Sequence, residues 1–504
     1  MTKTKVGKVF LVGAGPGDPE LLTLKGKRLL QEAQVVVYDR LVNPRILALV
    51  PPRARLIFVG KASSRHTMCQ DRINALLVKL GRQGKNVVRL KGGDPYVFGR
   101  GGEEALELEK AGVPFEVVPG ITSAISVPAY AGIPVTQRGF TSSLGIFTGQ
   151  EDPAKEDSAI AWDRISTGLG TLVFLMGFEN LEKIVAALVR HGRPAKTPCC
   201  LVRWGTWPRQ ESLEGTLQSI VAKARAARFS APAILVVGEV VSLKDKLDWF
   251  EKRPLFGKRV LVTVPSDDTG RFAGMLSQQG AESIEFPLIS IEPLADYGLL
   301  DGAIRCMDGF DWVIFTSQNG VKAFKARLDR LGLDVRQLKG VRVAAIGPRT
   351  AEALASLGIR VDITPDQYRQ ENLLASLKKQ GAKGKKFLVV RAQEARDVLP
   401  EGLRQAGGKV SVVPAYRTVI RKPGKDDQDI LDSCGLVTFT SSSCVQGFVK
   451  VFGKKRRAGH IFASIGPVTS KTARENGIKI AIEAKQYTLD GLTDAIVGYY
   501  RKHK

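Results

Sequence analysis

Residues 88–104 read VRLKGGDPYVFGRGGEE, and this stretch decides the fold of the first half of the chain. The apolar run Val87, Val88 and Leu90 reads as a strand ending in Gly92-Gly93-Asp94, and a second glycine pair, Gly101-Gly102, opens an acidic helix. Paired glycines after a strand supply positive φ and let a ligand approach the backbone closely. Asp94 can accept hydrogen bonds from ribose hydroxyls or an amine, while Arg100 and Glu103 sit about one helical turn apart. The pattern is that of a binding crevice at the carboxyl end of a strand.

Its companion stands near the N-terminus. A strand over Val9–Val12 enters the turn Gly13-Ala14-Gly15-Pro16-Gly17-Asp18-Pro19. A helix is expected to follow at once, with Asp18 as N-cap, Pro19 in the first turn and Leu21, Leu22, Leu29 and Leu30 as its apolar face. Val35–Tyr38 is a second strand ending at Asp39. Strand, glycine turn, helix, strand and acid together invite a nicotinamide-dependent dehydrogenase as one reading. The spacing argues against it. The third glycine of that fingerprint would fall at position 18, where Asp18 stands, and Pro16 removes an amide that could bind pyrophosphate. A purely structural turn is the other reading of this loop taken alone.

The 504 residues leave room for two or more domains, and 44% hydrophobic with 25% charged residues describes a globular chain. No run reaches the roughly 18 apolar residues that span a bilayer, and MTKTKVGKVF enters a strand without a signal-like apolar region. Six cysteines show no CxxC spacing and Cys199-Cys200 sit on one expected strand, so buried thiols in a reducing cytoplasm are expected. Four scattered histidines give no metal-ligand spacing, and no metal is expected. The net charge of +25 raises a basic nucleic-acid-binding protein as an alternative from another class. The surplus is nevertheless even along the chain, and Lys454–Arg457 is its only short run. Such a distribution suits a small polyanionic substrate, with neither nucleic acid nor membrane as partner.

Beyond a charged, Pro-containing stretch at 244–257 the chain repeats itself. KRVLVTVP (258–265) recurs as KKFLVVRA (385–392), and GAESIEFPLI (280–289) as GGKVSVVPAY (407–416). WVIFTSQNGVKAF (312–324) recurs as LVTFTSSSCVQGF (436–448), and AAIGPRTAEALASLGI (344–359) as ASIGPVTSKTARENGI (463–478). Apolar strands alternating with helices in each copy imply two similar α/β lobes with parallel sheets. In each copy one strand ends in Phe-Thr-Ser and another in Ile-Gly-Pro before a helix. Ser317, Thr350, Ser441 and Thr469 can there either cap helices or contact carboxylates. Tyr416 breaks the symmetry, because its counterpart is Ile289.

Joint motifs go further than any one of them. GAGPGDPELLTLKG (13–26), VVYDRLV (36–42), FVGK (58–61), RLKGGDPYVFGRGGEE (89–104), VPGITS (118–123) and AYAGIPVT (129–136) occur in order. LVFLMGFENL (172–181), TPCCLVRWGTWPRQ (197–210) and PAILVVGEVV (232–241) follow. Over residues 6–250 the chain resembles the uroporphyrinogen-III C-methyltransferases of the tetrapyrrole (precorrin) methylase family. Over 255–500, with PLFGKRVLVT, DWVIFTSQNGV, IGPRTA, PAYRT, FTSSSCV and IGPVTS, it resembles uroporphyrinogen-III synthase.

The resemblance implies an α/β fold class: a two-lobed methylase fold over 1–245, a linker over 246–256 and a duplicated two-lobed parallel synthase fold over 257–504. Lobe A would take about 257–291 and 420–504, lobe B about 294–415. It further implies a bifunctional enzyme of the cytoplasm, a homodimer through the methylase domain. The rear half would cyclise hydroxymethylbilane to uroporphyrinogen III with loss of water and no cofactor. The front half would methylate that product twice with S-adenosyl-L-methionine to give precorrin-2. Carried over, the methyl donor would lie at Pro16, Gly92, Gly93, Asp94, Val97, Thr122, Ser123, Met176 and Gly205. Asp39 would be the proton acceptor and Lys61 the proton donor. Arg100, Glu103 and Arg138 would bind the macrocycle's carboxylates and pyrroles, and Tyr416 would assist departure of the hydroxyl. Gln137 and Gln150 replace expected histidines, Leu175 an expected tyrosine and Val264 an expected arginine.

Overall fold

Strand periodicity and glycine turns place the crevice in a parallel sheet, and the computed structural model has one there. It describes residues 6–60, 68–150, 158–264, 266–366, 369–395, 397–453 and 459–503. The chain packs as two compact units, Met1–Lys258 with Leu276–Glu282, and Arg259–Met275 with Ser283–Lys504. The first unit opens with β1 (Val9–Gly13), β2 (Val35–Tyr38), β3 (Arg55–Phe58), β4 (Val87–Lys91) and β5 (Phe115–Val118). These are parallel, in the order β3-β2-β4-β1-β5. Helices cover both faces, so β1 reads as a nearly continuous apolar run and β4 is buried along its whole length. Since β4 inserts between β1 and β2, a crevice opens at the carboxyl ends of β1 and β4. That switch point is where open α/β sheets take ligands.

The helix expected directly after the glycine turn begins later. Asp18 caps only a single 3-10 turn, Pro19–Leu21, accepting from Glu20 N–H at 2.9 Å. Leu22 is then extended, and Thr23 caps the true helix, Leu24–Glu32, whose buried face carries Gly26, Leu29 and Leu30. Two N-capping side chains five residues apart divide what periodicity alone joins. The divided segment keeps residues 13–23 at the mouth of the crevice.

A second sheet completes this unit: β6 (Leu144–Thr148), β7 (Thr171–Leu175), β8 (Pro198–Arg203), β9 (Glu211–Thr216) and β10 (Ala233–Val237), ordered β6-β7-β10-β8-β9. β6 and β7 are parallel and the remaining pairs antiparallel. Cys199 and Cys200 lie buried on β8. Residues 244–256 also pack in this unit, with Lys244, Phe250 and Leu255 buried.

The second unit contains β11 (Arg259–Val262), β12 (Glu282–Glu285), β13 (Ile289–Glu292), β14 (Trp312–Phe315), β15 (Arg342–Ala345), β16 (Lys386–Ala392), β17 (Lys409–Ile420), β18 (Leu436–Phe439), β19 (Ile461–Ser464) and β20 (Ile482–Glu483). One sheet runs β12-β11-β18-β19-β20, the other β13-β17-β16-β14-β15. The repeated segments match strand for strand: β12, β11, β18 and β19 correspond to β17, β16, β14 and β15, in the same spatial order. Each sheet therefore takes the opening of one sequence repeat and the close of the other. Only β13 breaks the parallel pattern in the second sheet, pairing antiparallel to β17 at the edge. Among the described residues no helix is long and apolar enough to cross a membrane.

Candidate active sites

Three loops meet at the switch point because Gly13 and Gly120 have no side chain. A Cβ on Gly13 would lie 2.5 Å from the backbone of Gly120 and 2.6 Å from Gly93 O, and one on Gly120 would lie 2.3 Å from Gly93 O. Gly15 and Gly93 exchange backbone hydrogen bonds of 3.2 and 2.8 Å, both at positive φ. Asp94 fastens the assembly: Oδ1 accepts from Tyr96 N–H and Val97 N–H at 2.8 and 3.2 Å, and Oδ2 accepts from Gly120 N–H at 3.0 Å. Its carboxylate thus organises the loop from within. A Cβ on Gly93 would meet nothing nearer than Thr122 at 3.8 Å and Ser123 at 3.9 Å, which leaves a flat, open backbone wall. Thr122 caps the helix Ser123–Tyr130. Val97 packs on a core cluster containing Val127 and Leu175, and Gly205 lies against Val127.

The loops around this wall are strained. Phe98, Arg100, Met176, Trp204 and Thr206 all have φ between +50° and +68°. Such conformations cost on the order of 1–3 kcal/mol each and persist where surrounding contacts enforce them, commonly at ligand sites. None is a glycine, so no residue type signals them in advance.

Below the loops lies a buried charge cluster that sequence reasoning missed. Arg89 is 2% exposed, Lys91 3% and Glu104 0%. Glu104 Oε1 accepts from Arg89 Nε at 3.0 Å, Lys91 Nζ at 2.9 Å and Gln70 Nε2 at 3.2 Å, while its Oε2 has no partner among the described residues. Arg89 also donates to Asp39 Oδ1 at 2.8 Å. Burial opposes the Arg89 charge, but Glu104 and then Asp39 outweigh it and raise its pKa. Burial, with Arg89 next in effect, pushes Lys91 below its usual range. Asp39 Oδ2 has no partner among the described residues, and this side chain is 31% exposed at the edge of the cluster. The one available signal was Arg89 and Lys91 two apart on a strand, hence on one face of it.

Lys61 lies outside the described residues. Arg100 and Glu103 hold each other in a two-point ion pair, Nε to Oε1 at 2.8 Å and Nη2 to Oε2 at 2.7 Å, and both are exposed. Arg138 is exposed and has no partner among the described residues, and Gln137 and Gln150 sit in exposed turns. Among the described residues no group of three His, Cys, Asp or Glu could hold a metal ion.

In the second unit, Ser317 and Ser441 occupy equivalent positions and cap helices, accepting from Gly320 N–H at 3.1 Å and Cys444 N–H at 3.3 Å. Thr350 and Thr469 do not cap. Gly347 and Gly466 are the N-caps, and the two threonines lie inside the first turn, mostly buried, with no side-chain partner among the described residues. Tyr416 Oη lies 3.0 Å from Ser317 Oγ. Burial pushes the Tyr416 phenol above its usual range, with the Ser317 contact opposing. Val264, where an arginine is expected, is buried.

Residues 8–221 match the family model of tetrapyrrole (corrin/porphyrin) methylases, and residues 270–494 that of uroporphyrinogen-III synthase HemD. The porphyrin biosynthesis protein HemD of Ruminiclostridium josui is 37% identical over 494 residues, covering 97% of this chain and 98% of that protein. The S-adenosyl-L-methionine-dependent uroporphyrinogen III methyltransferase of Methanosarcina barkeri is 53% identical over 241 residues, 48% of this chain and 94% of that protein. A solved uroporphyrin-III C-methyl transferase of Thermus thermophilus, complexed with S-adenyl homocysteine, is 42% identical with a TM-score of 0.41, covering 47% of this chain and 100% of that one.

Proposed function

The chain belongs to the family of fused tetrapyrrole-biosynthesis proteins that join a tetrapyrrole methylase to a uroporphyrinogen-III synthase, and on that premise we propose that it runs two consecutive reactions. The rear half, 257–504, closes hydroxymethylbilane to uroporphyrinogen III. The front half, 1–245, methylates that product twice with S-adenosyl-L-methionine, giving precorrin-2. The observation that carries this reading is the pairing, along one chain, of the two family matches, at 8–221 and 270–494, which fall in two separate compact units.

In the front half the bare backbone at Gly92 and Gly93 suits a flat adenosine, since any side chain there would fill its place. Pro16, Asp94, Val97, Thr122, Ser123, Met176 and Gly205 are assigned to the same ligand, which when bound supplies an electrophilic methyl group. The pyrrole carbon that takes the methyl already bears a side chain and becomes quaternary, so the cationic ring that results must shed a proton from its nitrogen or from the adjoining bridge carbon. Asp39 is the assigned acceptor, because Arg89 occupies Oδ1 while Oδ2, with no partner among the described residues, can take that proton. Lys61 is assigned the reverse transfer. Arg100, oriented by Glu103, and Arg138 are assigned to the carboxylates of the macrocycle, where planar guanidinium forks bind best.

In the rear half the C–O bond of the hydroxymethyl group breaks, water leaves and an azafulvene cation forms. Tyr416 gives its hydroxyl proton to the departing oxygen, so that it leaves as water, and the upward shift of the phenol keeps that proton on Tyr416 until the step. Ser317, Ser441, Thr350 and Thr469 are assigned to the substrate's carboxylates. The enzyme's main task is conformational, to exclude direct closure to the wrong isomer. Tyr416→Phe is expected to slow ring closure about 10-fold or more and to leave methylation of supplied uroporphyrinogen III unchanged. A stopped assay with an unaltered closure rate would return Tyr416 to packing.

The same reading makes the protein a dimer through its front half and a resident of the reducing cytoplasm. Support for the first is the edge strand β3, where Leu56 is 46% and Phe58 44% exposed; sedimentation as a monomer at micromolar concentration would exclude it. Support for the second is a set of buried thiols, among them Cys199, which burial pushes up to about 12. The reading as a whole is tested on each half in turn. Hydroxymethylbilane alone should give the type III isomer, and uroporphyrinogen III with the methyl donor should give a dimethylated product. Failure of either reaction removes that half of the assignment.

A further inference from the structure

Behind the glycine turn at 13–18 a chain of hydrogen bonds leads out of the crevice to a residue beyond the methylase match, which ends at 221. Asp18 N–H donates to Thr206 Oγ1 at 3.0 Å, and Tyr130 Oη donates to Asp18 Oδ2 at 2.9 Å. Thr206 is 2% exposed and has φ +68°, a conformation that a β-branched residue rarely adopts. What holds it is Gln210, whose Oε1 accepts from Thr206 N–H at 2.9 Å. The other end of that amide donates to Tyr130 O at 3.2 Å and to Glu251 Oε1 at 2.8 Å.

The orientation of the Gln210 amide is therefore forced from both sides. The Thr206 amide demands an oxygen, and the Glu251 carboxylate, which can only accept when ionised, demands a donor. Glu251 is itself fixed, because its Oε2 accepts from the buried Lys244 at 3.2 Å and Ser212 donates to Oε1. Gly17 meets the same strap: a Cβ there would lie 2.1 Å from Trp207 Nε1. Loop 204–210 thus lies against the turn 16–18, and its own geometry is set by 210 and 251.

We propose that Gln210, with its amide oriented by Glu251, is a positioning residue for the methyl donor: it holds Thr206 in its left-handed conformation, and Thr206 fixes the Pro16–Asp18 turn. The inference rests on the assignment of the donor to that turn. Affinity for the donor is then governed from a site that does not touch it.

The test uses the full chain, with S-adenosylhomocysteine as the probe in titration calorimetry and steady-state methylation alongside. Gln210→Leu and Thr206→Ala should each weaken binding about 10-fold, which is about 1.4 kcal/mol. The donor KM should rise to match, while kcat and the macrocycle KM stay within about twofold. Glu251→Ala, which contacts none of the residues assigned to the donor, should move donor affinity in the same direction. Thr206→Ser keeps the hydroxyl and should restore binding. Wild-type affinity in Thr206→Ala, or a Thr206→Ser variant as weak as Thr206→Ala, overturns the inference. If Gln210→Leu loses its thermal transition, the two Thr206 variants decide. Wild-type protein that does not bind S-adenosylhomocysteine removes the donor-site assignment itself, a result distinct from wild-type binding with unaffected variants.

Discussion

Replacing Glu104 with alanine is expected to cost the first unit about 3–5 kcal/mol, because it strands buried cations. Arg89 and Lys91 are each almost wholly enclosed, and Glu104 Oε1 is the one acceptor they share. After its removal Arg89 keeps Asp39, at the edge of the cluster, as its ion-pair partner, with long contacts to Val37 O and Leu90 O, and Lys91 keeps no ion-pair partner among the described residues. Methylation should fail with stability, since Asp39 takes its placement from Arg89. Glu104→Gln should be milder. It retains an oxygen for the three donors and puts its amide nitrogen where Oε2 has no partner among the described residues. Urea unfolding followed by tryptophan fluorescence reads the effect, because Trp162, Trp204, Trp207 and Trp249 all lie in the first unit and only Trp312 in the second. A Glu104→Ala protein that unfolds at the wild-type urea concentration would contradict this account, as would equal loss in the alanine and glutamine variants. Ring closure by the same preparation should be untouched.

Gly120→Ala is expected to lower methyl-donor affinity by about 100-fold or more, and Gly13→Ala to do the same. Each added methyl meets backbone atoms at 2.3–2.6 Å, where no side chain can swing aside. The loops after β1, β4 and β5 must then part by a good fraction of an ångström, and displacement of about 1 Å at a site costs about 100-fold. Gly102→Ala supplies the contrast. It lies in the helix Gly101–Lys110 with nothing within 4 Å of an added Cβ, and should be neutral or stabilising by up to about 1 kcal/mol. Calorimetric titration of the three variants with S-adenosylhomocysteine gives the comparison directly. Similar affinities in all three would mean that the three-loop contact does not shape the site.

Much of this architecture was legible because glycine and apolar runs report backbone needs directly. β1, β2 and β4 and their turns follow from Val9–Gly13, Val35–Tyr38 and Val87–Gly93. The duplicated strands of the second unit follow from matched segments, although their distribution between two sheets is a property of topology that no local pattern carries. The helix start at Leu24 was misread because Asp18 and Thr23 are both good caps, and the choice between them is made by the crevice. The Arg89–Glu104 cluster stayed hidden because charges in a sequence read as surface until their partners, 15 residues away, are brought to the same face. Strain at Thr206 and Met176 was invisible for a related reason: tertiary contacts impose it on residues whose own preference is otherwise. Asp94 was legible as a residue of the crevice, whereas its three hydrogen bonds to loop amides were not.

The most direct measurement of the central claim supplies the intact chain with hydroxymethylbilane and methyl-deuterated S-adenosyl-L-methionine and reads the tetrapyrrole products by mass spectrometry. Two active modules in series predict a type III macrocycle carrying two labelled methyl groups, with unlabelled uroporphyrinogen III as the transient precursor. Accumulation of the type I isomer, or of type III without label, would contradict the account.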